Sequence, residues 1–531
     1  MSEQNPSVQG SLTVPDDLPA PIAEALAELQ RRRETALAMG GPERVERHHD
    51  SGRQTVRERL GALLEEGSFY ELGLLAQPER QQSRPAPADA IVTGFGRIDG
   101  RGVAVIGIDA TVLAGTTAQV NMRKQTRIAE LAGRAGMPLI FLADADGGRI
   151  PDVMGWRFSG LPFDFRTFLA APEGFPAVPR VTAALGPCFG DAALHAAGAD
   201  FVVMTEQAAV ALSGPPVVAG AIGEDVDPAE LGGPKVATSS GLVHHVAADE
   251  AEALAAVVRF LSYLPDSAAC APPLAAAAAP SREAEQLLRL IPSEPRRAYD
   301  MRKVLQAIFD GDSLMPWAPR WGASLLTTLA RLDGVPVGVL ASQPMQRAGV
   351  LDADALAKSL AFVHMCDTFG LPLIFMHDVP GLMIGTQAEQ SGIVRAYERL
   401  VARLSRVRVP RIGVIVRKSY GGGNFAMSGR PTAPDLMLAW PTAELGFMAP
   451  ATGVSTVYRR RLAQVAEEQG QQARDALRSE LESEWMHESE PWEAAAHIHL
   501  DAIIDPRETR RHLSEGIDFV WGSRPRVGAA P

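Results

Sequence analysis

The feature that most constrains this chain is an internal repeat with a period of 234 residues. A shift of 234 lays Arg97–Gly100 (RIDG) on Arg331–Gly334 (RLDG) and, without a gap, Gly136–Asp144 (GMPLIFLAD) on Gly370–Asp378 (GLPLIFMHD). Ala114-Gly115 falls on Ala348-Gly349 and Lys124 on Lys358; 14 of the 48 aligned columns are identical. A period this long means duplicated domains rather than a solenoid. At 531 residues the chain also exceeds what one core supports, about 250–300 residues. Between the halves lies DSAACAPPLAAAAAPSREAE (Asp266–Glu285), rich in Ala and Pro and poor in large apolar side chains, which reads as a tether. The expected organisation is an N-terminal domain over 1–265, a linker over 266–286 and a C-terminal domain over 287–531.

Residues 20–66 have helical periodicity that ends at Gly67-Ser68-Phe69. From Ala90 the pattern changes. IVTGFGRI, VAVIGID and PLIFLAD read as strands, with the amphipathic helix RKQTRIAELAGRA between the second and third. Wholly apolar strands alternating with helices predict an α/β core whose sheet is covered on its faces.

Each half then carries a small-residue turn after a strand. In the second half RIGVIVRKSY runs into Gly421, Gly422 and Gly423, followed by a helix-competent segment and the apolar LMLAW. Glycines there let a ligand approach main-chain N–H groups at a helix start, and such amides can hold a carbonyl oxygen that is becoming an oxyanion. Taken alone, the turn equally fits a tight connection with no ligand. The repeat supplies a twin in Gly186–Met204 (GPCFGDAALHAAGADFVVM), with Asp200 near the counterpart of Asp435. Earlier loops also match, ADADGGRI (Ala143–Ile150) and HDVPGLMIG (His377–Gly385), so two related ligand-holding surfaces are expected.

Several chemistries are set aside. A formal charge of −12 with no long basic block argues against nucleic acid as a partner. No apolar run approaches the ~18 residues of a membrane span, and MSEQNPSVQGSLTVPDD has no secretory pattern. Three cysteines, Cys188, Cys270 and Cys366, lie far apart and make no disulfide framework, so a reducing cytoplasm is expected. There is no GxxxxGK[ST] loop, GxSxG elbow, HExxH or zinc spacing, so no metal is expected; His48 and His49 read as solvated. Arg123 and Lys124 read as a solvated basic face, with CoA phosphates as the functional alternative. No biotin-attachment lysine motif occurs.

At this point a resemblance becomes specific. MGGPERVERHHDSGRQTVRERLGALLEEGSF, SGPPVVAGAIGEDVDPAELGG, LSYLP, YDMRKV, QPMQRAGVLDADALAKSLAFVHMCD, DVPGLMIGTQAEQSGI and AWPTAELG appear in order, nearly end to end. Together they resemble the carboxyltransferase (β) subunit of biotin-dependent acyl-CoA carboxylases, of the propionyl- and methylcrotonyl-CoA kind. The resemblance implies two duplicated crotonase-like (ClpP/crotonase) β-β-α superhelix domains. It implies carboxyl transfer from carboxybiotin, borne on a separate carrier protein, to an acyl-CoA through a thioester enolate. It also implies a biotin carboxylase/carrier partner and a homo-hexamer in which domains of different subunits meet. By position, Gly422 and Gly423, with Gly421, would form the biotin-side hole, flanked by Asn424 and Phe425. Gly147, Gly148, Gly190 and Asp191 would serve the acyl-CoA side, flanked by Phe189 and Ala192.

The acyl-side turn departs from the family. Where the family has GPCAGGA this chain has GPCFGDA, and SGGARI becomes ADGGRI with Asp146. A carboxylate at Asp191 would repel an enolate unless turned away or protonated by burial. It either faces solvent or caps the next helix, or it marks an altered acyl pocket, an acid or an acceptor. The GGGNFAMSGR turn resembles methylcrotonyl- or geranyl-type members and DVPG the propionyl type, so the acyl group stays open. The reverse reaction, decarboxylation of a malonyl-type thioester, and a non-catalytic assembly paralogue are the alternatives.

Overall fold

The computed structural model describes residues 18–164, 174–294 and 297–522. The N-terminal stretch read above for a secretory pattern lies outside the described residues. The chain divides into two units, Met1–Cys270 and Ala271–Pro531. Part of the Ala/Pro-rich segment is stitched into the second unit, where Ala275 N donates to Gly334 O and Gly311 N to Ala279 O.

In the first unit β1 (Tyr70–Leu72), β2 (Ile91–Ile98), β3 (Arg101–Ile108), β4 (Leu139–Ala145), β5 (Arg180–Phe189), β6 (Phe201–Thr205), β7 (Ala209–Ala211) and β8 (His245–Ala247) form one sheet. Its order is β1-β2-β3-β4-β5-β6-β8, with β7 pairing β5. The second unit repeats this with β9 (Met315–Pro316), β10 (Leu325–Leu332), β11 (Val335–Ser342), β12 (Leu373–Val379), β13 (Arg411–Tyr420), β14 (Leu436–Ala439), β15 (Glu444–Gly446) and β16 (Ala502–Ile503), in the order β16-β14-β13-β12-β11-β10-β9, with β15 on β13.

From β2 to β4 and from β10 to β12 the repeat is exact to the register. Ile91 pairs with Ile108 and Leu325 with Ser342; Ala104 pairs with Leu139 and Gly338 with Leu373, all at a shift of 234. The β2–β3 and β10–β11 hairpins turn through Asp-Gly, with φ +49° and +76° at Asp99-Gly100 and +50° and +81° at Asp333-Gly334. Both positions need positive φ, the condition of a type I′ turn, which explains the shared RxDG signature. The parallel strands β3–β6 and β11–β14 are buried along nearly their whole length, as expected of sheets covered on both faces.

Two devices recur in both units. A register break falls at Asp144 in β4 and at Asp378 in β12. The buried Asp144 carboxylate is gripped by Arg53 (2.7 Å) and Arg59 (3.0 Å), and Asp378 by Arg417 (3.0 Å). Each bulge therefore re-aims the chain at the same place, immediately before the loop that carries Gly147 and Gly148 in the first unit and Gly381 in the second.

The second device is the repeated lysine. Lys124 is buried on the helix Gln119–Ala135 and donates to Ala88 O (2.9 Å) and Ile91 O; Lys358 likewise donates to Ala318 O and Leu325 O. Burial lowers the Lys124 pKa to about 8 and that of Lys358 to about 7. Ala88, Asp89 and Ala90 all have positive φ, so Lys124 holds a strained run entering β2. Ala88 O keeps a bond from Ile91 N if the ammonium is removed, but the charge-assisted bonds that tie this run to the helix are lost. Lys124→Met is expected to destabilise the first unit by about 2–4 kcal/mol, read from urea unfolding.

Candidate active site

In the second unit β13 changes partner along its length. Ile412–Ile415 pair with β14 and Lys418–Tyr420 with β15, so the strand end turns out of the main sheet and delivers the helix Gly421–Ala426. The first amides of a helix have no intrahelical acceptor and are free for a ligand. Close packing explains the three glycines. A Cβ at Gly421, where φ is +51°, would sit 2.8 Å from Phe447 O. At Gly422 it would meet Leu382 Cδ1 at 2.9 Å, and at Gly423 Val379 Cγ2 at 2.7 Å and Gly381 Cα at 3.0 Å. Beside the turn lies a cavity of about 580 Å³, with Gly421, Gly422, Asn424, Phe425, Ser419 and Phe447 in its wall.

A buried polar chain supports this turn. Asn424 Nδ2 donates to Ser419 Oγ (2.8 Å), which lies 2.9 Å from His377 Nδ1. Burial drops the His377 pKa to about 3, against a smaller upward pull from the Met427 main chain. The imidazole is therefore neutral and holds position rather than moving protons at working pH.

The first unit has the same layout with different chemistry. β5 pairs with β6 through Val181–Ala184 and with β7 through Pro187–Phe189, then enters the helix Asp191–Ala197. Ala145 pairs with Cys188 and Val379 with Ser419, which fixes the shift at this end as 231. Asp191 therefore occupies the place of Gly422, and Ala192 that of Gly423. Asp200 and Asp435 are a matched pair of clips, each accepting from the first amide of its long strand, Arg180 N (2.9 Å) and Arg411 N (2.8 Å).

The turn and the earlier loop meet. A Cβ on Gly190 would lie 3.4 Å from Gly147 Cα, and Gly148 bridges to Thr117. Thr117 N donates to Gly147 O (2.9 Å), while its hydroxyl donates to Asp191 Oδ1 (2.8 Å). Asp191 Oδ2 is buried with no partner in hydrogen-bond geometry, as is Gln125 Nε2. Gln125 Oε1 lies 2.9 Å from His195 Nε2. Burial raises the Asp191 pKa, while Thr117, the amides of Asp191 and Ala192, and Gln125 pull it back. The carboxylate thus faces inward, in the field of the amides a ligand would use.

Phe189 is buried with its ring against Gly214, and Ala192 is a core residue; Phe425 is 38% exposed. Cys188 and Cys366 are buried, and burial pushes both thiols up, away from reactivity. Arg123 pairs with Glu79 at 2.6 Å. His48 Nε2 bonds Gln54 O and His49 bonds Glu58. Thr117, Gln125, His195, His377 and Ser419 escaped the sequence reading. The 234 shift holds as far as Gly148 and Leu382 in the loops after β4 and β12, and only the 231 register aligns Ser419 with Cys188. Among the described residues no helix is long and apolar enough to cross a membrane.

A duplicated, mostly parallel sheet with a small-residue turn at the end of each long strand defines a two-domain crotonase-like α/β protein. Residues 47–527 match the carboxyl transferase domain family, and the chain belongs to that family. It is 34% identical over 528 residues to the propionyl-CoA carboxylase beta chain of Saccharopolyspora erythraea, covering 96% of this chain and 95% of that one. It is 30% identical over 514 residues to the methylmalonyl-CoA decarboxylase subunit alpha of Propionigenium modestum, covering 96% and 98%. Transcarboxylase 12S, solved as a hexamer with methylmalonyl-CoA bound, matches with TM-score 0.87 and 32% identity over 95% of this chain and 96% of that one.

Proposed function

We propose that this chain is the carboxyltransferase subunit of a biotin-dependent acyl-CoA carboxylase. The observation that carries the reading is the matched pair of turns, Gly190–Ala192 and Gly421–Gly423, at equivalent ends of β5 and β13. Both present main-chain donors, and enolate chemistry on a thioester needs donors aimed at a developing oxyanion rather than a catalytic dyad. The mainly apolar cavity beside Gly421–Phe425 suits the flat bicyclic ureide of biotin, and the amides of Gly422 and Gly423 suit its ureido oxygen. Carboxybiotin, when bound, supplies the activated carboxyl group. Phe425 and Phe447 offer exposed apolar rings for the ligand to cover, while Asn424, Ser419 and His377 hold the turn. In the first unit the amides of Asp191 and Ala192, with the Gly147-Gly148 loop packed against them, hold the thioester carbonyl. The α- or γ-carbon of the acyl group would give up its proton to the ureido group as the carboxyl leaves biotin, and would take up the carboxyl in its place.

The partners that go with this reading are a biotin carboxylase/biotin carrier subunit and five further copies of the chain, in the cytoplasm. The test is a panel of acyl-CoA thioesters assayed with a carboxylated carrier; no carboxylation of any member overturns the proposal. Asp191 favours a second reading, decarboxylation of a malonyl-type thioester, because burial raises its pKa and a protonated carboxyl beside the acyl turn can hand its proton to the carbon that loses CO2. Incubation with malonyl- and methylmalonyl-CoA without biotin distinguishes the two: release of CO2 supports decarboxylation, and its absence removes it.

A further inference from the structure

The helix Ile393–Leu404 carries one polar group to the turn Gly421–Gly423. Ile393, Tyr397, Leu400 and Leu404 recur at helical spacing and form its inward stripe; Ile393, Leu400 and Leu404 are buried. Tyr397 is half-buried and is the one member with a polar tip, while Val394, Arg395, Glu398 and Arg399 face outward. Leucine in its place would complete the stripe equally well, so packing alone does not call for the hydroxyl.

The phenol ends beside the turn. A Cβ on Gly422 would lie 3.4 Å from Tyr397 Oη, so the hydroxyl faces the glycine across the space a side chain would fill. A Cβ is about 2.5 Å from its own amide nitrogen, which places Oη within about 6 Å of Gly422 N. Two hydrogen bonds of about 2.9 Å that meet on one oxygen span that distance. Gly422 also stands in the wall of the cavity of about 580 Å³. Among the described residues the hydroxyl has no hydrogen-bond partner, although a phenol removed from water ordinarily finds one. Burial raises its pKa with no charge adding to or opposing the shift, so it keeps its proton and remains a donor at working pH.

We propose that the Tyr397 hydroxyl is the third donor of the biotin-side hole, converging with the amides of Gly422 and Gly423 on the ureido oxygen. The inference rests on the carboxyltransferase reading above and deepens it. Donors fixed beside that oxygen hold it more tightly as negative charge grows on it than they do in the ground state. The phenol is fixed from outside the turn, through the buried stripe of its own helix, so its aim does not depend on the glycines. Its proton stays on Oη throughout; the hydroxyl donates a hydrogen bond and transfers nothing.

The test uses Tyr397→Phe in the full chain, which keeps the ring in the stripe and orphans no protein group. Thermal melting and size-exclusion behaviour should be unchanged. Carboxyl transfer from carboxylated carrier is expected to fall about 10–100-fold in kcat, with KM for acyl-CoA and for the carrier changed less than about two-fold. A second readout needs no turnover. With 3-fluorotyrosine in place of Tyr397, the fluorine resonance should shift on addition of biotin methyl ester and stay in place on addition of CoA. Transfer by Tyr397→Phe within about two-fold of wild type removes the hydroxyl from the hole and leaves the carboxyltransferase reading standing. A resonance that biotin methyl ester leaves unmoved also overturns the proposal. A resonance shift in a protein that carboxylates no acyl-CoA keeps the hydroxyl at the ureide and removes the acyl-CoA reading.

Discussion

Gly423→Val is expected to lower carboxyl transfer from carboxylated carrier by about 10²–10³-fold while the protein remains assembled. The added Cβ would sit 2.7 Å from Val379 Cγ2 and 3.0 Å from Gly381 Cα, both on β12 or the loop that follows it. Neither neighbour can retreat, because β12 is hydrogen-bonded on both edges and Val379 is fully buried. The turn must move instead, and its amide loses aim. A displacement near 1 Å is enough for about 10²-fold. Single-turnover carboxylation is the readout, with acyl-CoA binding as the control, since the altered turn belongs to the unit proposed to hold biotin. Gly423→Ala, with the same first contact but less bulk, guards against simple misfolding. Activity within a few-fold of wild type in both variants would remove Gly423 from the proposed hole.

The second large effect is expected to have the opposite sign. Asp191→Gly should raise kcat/KM for acyl-CoA carboxylation by about ten-fold or more at pH 8. The Asp191 carboxylate lies among the amides proposed to hold the thioester oxygen, and two negative charges about 4 Å apart repel by several kcal/mol at an effective dielectric near 20. Burial raises the Asp191 pKa above its ordinary value, so the neutral acid persists to higher pH than for a free aspartate. In wild type, carboxylation should therefore be relatively faster on the acid side and fall as pH rises through that raised pKa; Asp191→Gly should lose this slope.

The same linkage acts on stability. The folded state binds the Asp191 proton more tightly than the unfolded chain, so the contribution of this group declines as pH rises from the ordinary aspartate value through the raised one. Removing the carboxylate should consequently raise Tm more at pH 8 than at pH 4. A ten-fold loss of carboxylation in Asp191→Gly would instead make the carboxylate a working group, with Thr117 as its anchor.

How much of this was legible in the sequence depends on which residues are asked. The Asp-Gly pairs at 99–100 and 333–334 were readable because positive φ at both turn positions restricts residue choice. Arg180 and Arg411 show a limit. Their amides donate to the carboxylates of Asp200 and Asp435; the repeat matched the two aspartates, and only the two hydrogen bonds showed what they hold. Phe189 shows another. Its place beside the candidate turn invited a ligand role, but strand alternation and the β7 pairing turn its ring onto Gly214.

The sequence by itself determined the duplication, the α/β class, the family and the two turns, because each is written in local period, glycine placement or long ordered motifs. Only the tertiary structure decided what surrounds those turns. The shift between the halves changes from 234 to 231 between β4 and β5, so Asp191 faces Gly422 in the alignment only after strand pairing is known. The supports are non-local as well: Thr117 and Asp191 are 74 residues apart, and His377 and Ser419 are 42 apart. Tyr397 reaches Gly422 from a separate helix for the same reason. A charge or a hydroxyl has no periodicity that reports its partner, and only the folded chain brings such residues within hydrogen-bond reach.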